Sequence, residues 1–166
     1  RRDVYLRHAD SLHPDLASGD DMFLLHAVMR DGGTVRHESS NAAAAETAGA
    51  VTAAALVRQR ARWASKAGRY RDPATLTLAA ATAACNAAVA AAAVAACLSV
   101  EYLLPAAVMY GIKAVPDYLL IAAEIRKRGN RVRTLQFLAS EIIYPFYFMI
   151  VAVMSQSPSA GQFRGR

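Results

Sequence analysis

Cysteine and tryptophan are scarce in these 166 residues, with two of the first and one of the second. Cys85 and Cys97 stand twelve positions apart in one uncharged stretch. On a helix that separation is too long to bridge, which argues against a disulfide and leaves both as small apolar residues. The four histidines, His8, His13, His26 and His37, lack the spacing of a zinc site. No segment repeats, and nothing at the start resembles a signal peptide. Acidic residues are outnumbered, 13 against 19 Lys and Arg, giving a net charge of +6 and a pI near 9.7. Such a balance fits an anionic partner: nucleic acid, a phosphorylated ligand or an acidic lipid face. The first residues are Arg1-Arg2 with no methionine, and the expectation is a piece of a longer protein.

The sharpest absence is internal. From Pro73 to Val100 there is no charged residue at all, whereas acids and bases are dense from Arg1 to Asp72. Pro73 therefore divides a polar part, 1–72, from a membrane part, 73–166. In the polar part, Ser18 followed by Gly19-Asp20-Asp21 reads as the cap of a helix that carries Met22, Phe23, Leu24, Leu25, Val28 and Met29. Asp31-Gly32-Gly33 should end it near Arg30. Thr34–Glu38 is expected to form a short strand and 42–47 a weaker one, because alanine disfavours strands. A second helix is expected from about Val51 to Lys66.

Three segments are then long enough to cross a bilayer, which takes roughly 20 apolar residues. They are Leu76–Leu98, rich in alanine; Tyr102–Ala123, interrupted by Lys113, Pro116 and Asp117; and Leu135–Met154, with Glu141 and Pro145 near its middle. The third should break at those two residues and be re-entrant or interfacial. Lys113 and Asp117 are four apart, so they can neutralise each other on one helix face. The loop 124–133 is crowded with arginine, as are Arg69 and Arg71 before the first segment. Both should face the cytoplasm, so nucleic acid is not needed to explain the basic charge.

Two clusters carry chemistry. Gln59-Arg60-Ala61-Arg62-Trp63 fits Q-x-x-R-W, and on a helix Gln59, Arg62 and Trp63 project from one face. An arginine fork suits a diphosphate and an indole offers a platform for a sugar ring. The same residues near a bilayer also read as an ordinary interfacial anchor. Asp20 and Asp21, at a helix start, oppose the helix dipole as capping acids. A general base also needs an ionised carboxylate within reach of a hydroxyl, so cap and base are compatible.

In this order, and followed by membrane segments, the two clusters resemble membrane-bound family 2 glycosyltransferases, the group containing cellulose, chitin and hyaluronan synthases. The similarity is to the bacterial subgroup reading S-G-D-D-x-F-L-L, then Q-R-x-R-W-A-S-K, then a terminal W-K-G-R. Here these are Ser18–Leu25, Gln59–Lys66 and Phe163-Arg164-Gly165-Arg166. The last departs from the pattern by having Phe163 in place of tryptophan. The chain also lacks a D-x-D metal motif.

The resemblance implies that residues 1–72 are the C-terminal, acceptor-side part of an α/β catalytic domain of the GT-A type. About three transmembrane or interfacial helices would follow, for a mainly α chain. It implies an inverting transfer from a nucleotide sugar to a lipid or growing glycan at the cytoplasmic face of the inner membrane. Asp21 would be the catalytic base, with Asp20, Gln59, Arg62 and Trp63 lining the acceptor and diphosphate site. A divalent Mg²⁺ or Mn²⁺ is expected in the complete enzyme, with no ligand assigned in this chain. The competing expectation is a small basic membrane protein with scaffolding or transport duties and no catalysis.

Overall fold

The computed structural model describes residues 2–13, 20–38, 40–45 and 47–157. Ser18 and Gly19 of the S-G-D-D segment and the terminal Phe163–Arg166 lie outside them. Among the described residues six α-helices follow one another: α1 Arg2–Arg7, α2 Asp20–Arg30, α3 Ala53–Ala64, α4 Pro73–Leu98, α5 Leu103–Lys127 and α6 Thr134–Ser155. Short 3-10 turns intervene, and among the described residues there is no strand. The fold is mainly α.

The chain divides into two compact units, one of Arg1–Thr77 with Val151–Arg166 and the other of Leu78–Ile150. In the first, α2 stops where glycine permits it. Gly32 takes φ +73°, the left-handed conformation that costs a residue with a Cβ. The Gly32 and Gly33 N–H groups then donate to the carbonyls of Met29 and Val28, at 3.0 and 2.9 Å. The buried face of α2 is Phe23 and Ala27, with Leu12 also in the core. α3 starts at Thr52, whose hydroxyl accepts the Ala55 N–H at 3.1 Å. α4 starts at Asp72-Pro73: the Asp72 carboxylate accepts the Thr75 N–H at 2.7 Å, and proline at the first helical position has no N–H to leave orphaned.

Among the described residues neither expected strand forms. Residues 34–38 are irregular, and 41–43 form a single 3-10 turn followed by irregular chain. A lone pair of short strands is marginal without a third strand or a helix to cover it, and alanine adds little. At this point the Glu38 side chain instead accepts the Ser40 N–H at 2.8 Å.

Pro73–Leu98, Val100–Lys127 and Thr134–Ser155 are each long and apolar enough to cross a membrane. Their outward faces carry large apolar side chains, with Leu135 81% and Leu104 73% exposed. Faces of this kind along three helices suit hydrocarbon rather than water. The third helix is unbroken, contrary to the expectation of a break at Glu141 and Pro145. Proline there removes one backbone hydrogen bond, a loss of about 3 kcal/mol in an ordinary helix interior. Unwinding in lipid would orphan several more backbone groups, so the helix continues. The basic loop is also shorter than expected. α5 runs on to Lys127, helped by Glu124 pairing with Arg128 at 3.1 Å and Lys127 at 3.6 Å.

Within the second unit, α5 and α6 are joined by polar as well as apolar contacts. The Tyr118 and Phe137 rings meet edge to face at 5.3 Å. The Tyr110 hydroxyl donates to the Ile142 carbonyl at 3.3 Å. The expected Lys113–Asp117 pair forms at 2.6 Å, and Lys113 also reaches Glu141 on α6 at 2.7 Å. α4 contributes Val89 and Ala90 to the buried surface, small enough for close helix approach.

Candidate functional site

The Q-x-x-R-W residues all lie on α3. Gln59 and Arg62 are half-buried and Trp63 is exposed. Arg60 places its guanidinium over the Trp63 ring, 4.6 Å from the centroid. A cation in that position holds the indole through its π-face and covers one side of the ring. Trp63 remains 44% exposed, so part of the indole is open to a ligand. Ser65 closes the helix, its hydroxyl donating to the Arg62 carbonyl at 2.8 Å.

Asp20 and Asp21 open α2, and Asp21 is exposed to solvent. The link from α2 to the chain after α3 runs through Tyr70. The Tyr70 ring packs edge-on to Phe23 at 5.6 Å and His26 at 5.2 Å. Burial pushes the Tyr70 hydroxyl above its ordinary range, and the negative charge of Asp21 adds to that. Asp21 therefore sits within electrostatic reach of Tyr70. Among the described residues, no hydrogen bond or ion pair joins Asp21 to Gln59, Arg62 or Trp63. The residues expected to act together thus fall into two groups: three on α3, and an acid pair on α2.

Between α2 and the start of α4 lies a cavity of about 590 Å³ whose lining includes His26, Arg30, Arg69, Tyr70, Arg71 and Asp72. His26 Nε2 stands 3.2 Å from Thr75 Oγ1. The Asp72 carboxyl is held below the usual carboxylate range by the Thr75 N–H first and its hydroxyl second, with His26 contributing a smaller charge effect. Three arginines and two carboxylates, Asp10 and Asp72, line it beside a phenol and an imidazole.

Sequence reasoning named none of His26, Arg30, Tyr70 and Asp72 as site residues. The available signal was Asp72-Pro73, a cap followed by proline at the first helical position. That pair marks where the chain turns into α4, but gives no hint that Tyr70 folds back on α2. His8, in the turn after α1, is buried and pairs with Asp31 at 3.7 Å.

A divalent cation would need a set of hard donors. Among the described residues no three His, Cys, Asp or Glu side chains come together to hold one. The described residues therefore offer no such set for a divalent ion. No protein family model, curated protein or solved structure gives a significant match to the chain.

Proposed function

We propose that the chain supplies the acceptor half of an inverting glycosyl transfer from a nucleotide sugar to a lipid or growing glycan at a membrane face. The observation that carries this reading is the α3 face: an amide, an arginine fork and an exposed indole at Gln59, Arg62 and Trp63, ahead of three helices apolar enough to span. The basic residues at 69–71 and 126–133 support a cytoplasmic placement.

Asp21, exposed at the head of α2, takes the proton from the acceptor hydroxyl. The oxygen attacks the anomeric carbon as the bond to the diphosphate breaks, and the configuration inverts in that single displacement. Arg62 offers two parallel N–H donors to the departing diphosphate. Trp63 presents its exposed surface to the acceptor ring. The α2–α4 cavity, with Arg30 and Arg71 in its lining, suits the phosphate of a lipid-linked acceptor. Nucleotide binding and a metal are assigned to other parts of the complete enzyme, so no step here passes through a metal.

The test separates the α3 residues by kinetic effect. In the complete enzyme, Arg62→Lys keeps the charge but loses the fork, and should lower kcat roughly 10²-fold, as loss of a charge-stabilising donor does. Trp63→Ala should chiefly raise the KM for acceptor. Full activity in both variants, with loss only of membrane association, would favour an interfacial anchor in a non-catalytic membrane protein.

A further inference from the structure

The polar cluster inside the second unit has no part in the reading above. Lys113 is 7% exposed and Glu141 6%. The single ammonium of Lys113 is shared between Glu141, at 2.7 Å, and Asp117, at 2.6 Å. With both ionised, two carboxylates around one ammonium leave one negative charge uncompensated; the Asp117 side chain is 36% exposed, whereas the other two are buried.

A second observation comes from α4. Asn86 is 3% exposed. Its amide nitrogen donates to the Thr82 carbonyl at 2.9 Å, but its buried Oδ1 receives no donor. Asn86 lines the same cavity as Lys113, Asp117 and Glu141, a space of about 520 Å³. Buried polar atoms are nearly always satisfied, and an exception calls for an unseen partner.

The other polar groups at this cavity narrow the partner's chemistry. Thr82 and Ser140 spend their hydroxyl hydrogens on the carbonyls of Leu78 and Phe137, at 2.8 and 2.7 Å. Both residues line the cavity, and each hydroxyl oxygen keeps lone pairs with which to accept. With Asn86 Oδ1 and the two carboxylates, the lining presents oxygen lone pairs, and Lys113 supplies the one cation. Oxygen-only sets suit hard cations. A water molecule would satisfy Asn86 Oδ1 but leave the charge. A divalent ion would turn one excess negative charge into one excess positive charge.

We infer that this cavity is a binding site for a small monovalent cation of the Na⁺ class, held by Asn86 Oδ1, Asp117 and Glu141 beside the Lys113 ammonium. Bound there, the ion neutralises the cluster and satisfies the orphaned amide oxygen together. The titratable groups facing the cavity are Cys85 on α4, Lys113 and Asp117 on α5, and Glu141 and Tyr144 on α6. Lys113 also stands 5.0 Å from the Tyr144 ring centre.

Cys85 lines this cavity and Cys97 lines another, so the chain carries its own reporter and control. The experiment is N-ethylmaleimide modification of the 166-residue chain in lipid nanodiscs, read by mass spectrometry at fixed pH. Na⁺ replaces N-methylglucamine at constant ionic strength. The Cys85-to-Cys97 rate ratio should fall severalfold and saturate with Na⁺, and should stay flat in Asp117→Asn. A flat ratio in the unaltered chain overturns the inference, and that result needs no variant to fold. So does an equal fall in Asp117→Asn, or a fall reproduced by acidification without Na⁺, which would mean that a carboxylate simply takes a proton.

Discussion

Lys113 illustrates how far a single side chain can be argued from its partners. Its charge is buried between two carboxylates, so removing it leaves both without a counter-charge. Lys113→Met should therefore destabilise the membrane unit by about 3–5 kcal/mol, the range for breaking a buried pair from one side. Glu141→Gln should cost much less, because Lys113 and Asp117 remain as a balanced pair. Thermal unfolding followed by circular dichroism in lipid would rank the two, and equal losses would contradict the charge count. Asp72 gives a second residue-scale test. Its folded carboxyl is held below the ordinary range by Thr75. Its stabilising effect is thus complete above the unfolded value of about 3.9, and is lost as pH falls through the lower folded value. Between pH 7 and pH 3 the unaltered chain should lose more stability than Asp72→Asn, by the difference in their unfolding midpoints. An identical loss in both would remove the cap from the account.

At the scale of elements, helices were legible and their cross-contacts were not. The stop of α2 is written in Gly32, because a left-handed residue after a helix calls for glycine. The three apolar helices were legible from long runs free of charge, and the Lys113–Asp117 pair from a spacing of four. Glu141 was visible as an acid inside an apolar segment. Its pairing with Lys113 was not, since a contact between helices depends on their rotation about their axes, which spacing within one helix does not encode. The strands expected at 34–38 and 42–47 failed for a related reason: strand character was read locally, while a strand persists only with a partner. The unbroken course of α6 through Pro145 shows the environment overruling a local rule. At the candidate site, the α3 face was legible because it depends only on helical periodicity. The Phe23–His26–Tyr70 cluster was not, because it joins α2 to a residue more than forty positions later. The α3 substitutions Arg62→Lys and Trp63→Ala belong to this scale, since they ask whether one helix face works as a unit.

For the molecule as a whole, the division of charge sets the division of labour. Residues 1–72 hold the acid pair and the α3 face, and the uncharged stretch from Pro73 begins the part apolar enough for lipid. A catalytic reading demands more than this division. It requires that Asp21 remove a proton during transfer, and so its consequence is confined to the chemical step. The most direct measurement is single-turnover transfer from radiolabelled nucleotide sugar in membranes containing the proposed complete enzyme, comparing the unaltered protein with Asp21→Asn and Asp20→Asn. Donor binding is measured alongside. Loss of a general base should slow transfer by at least about 10²–10⁴-fold. Asp21→Asn should fall in that range with donor binding and membrane insertion intact, and Asp20→Asn should be milder. Near-normal transfer by well-folded, membrane-inserted Asp21→Asn would contradict the account.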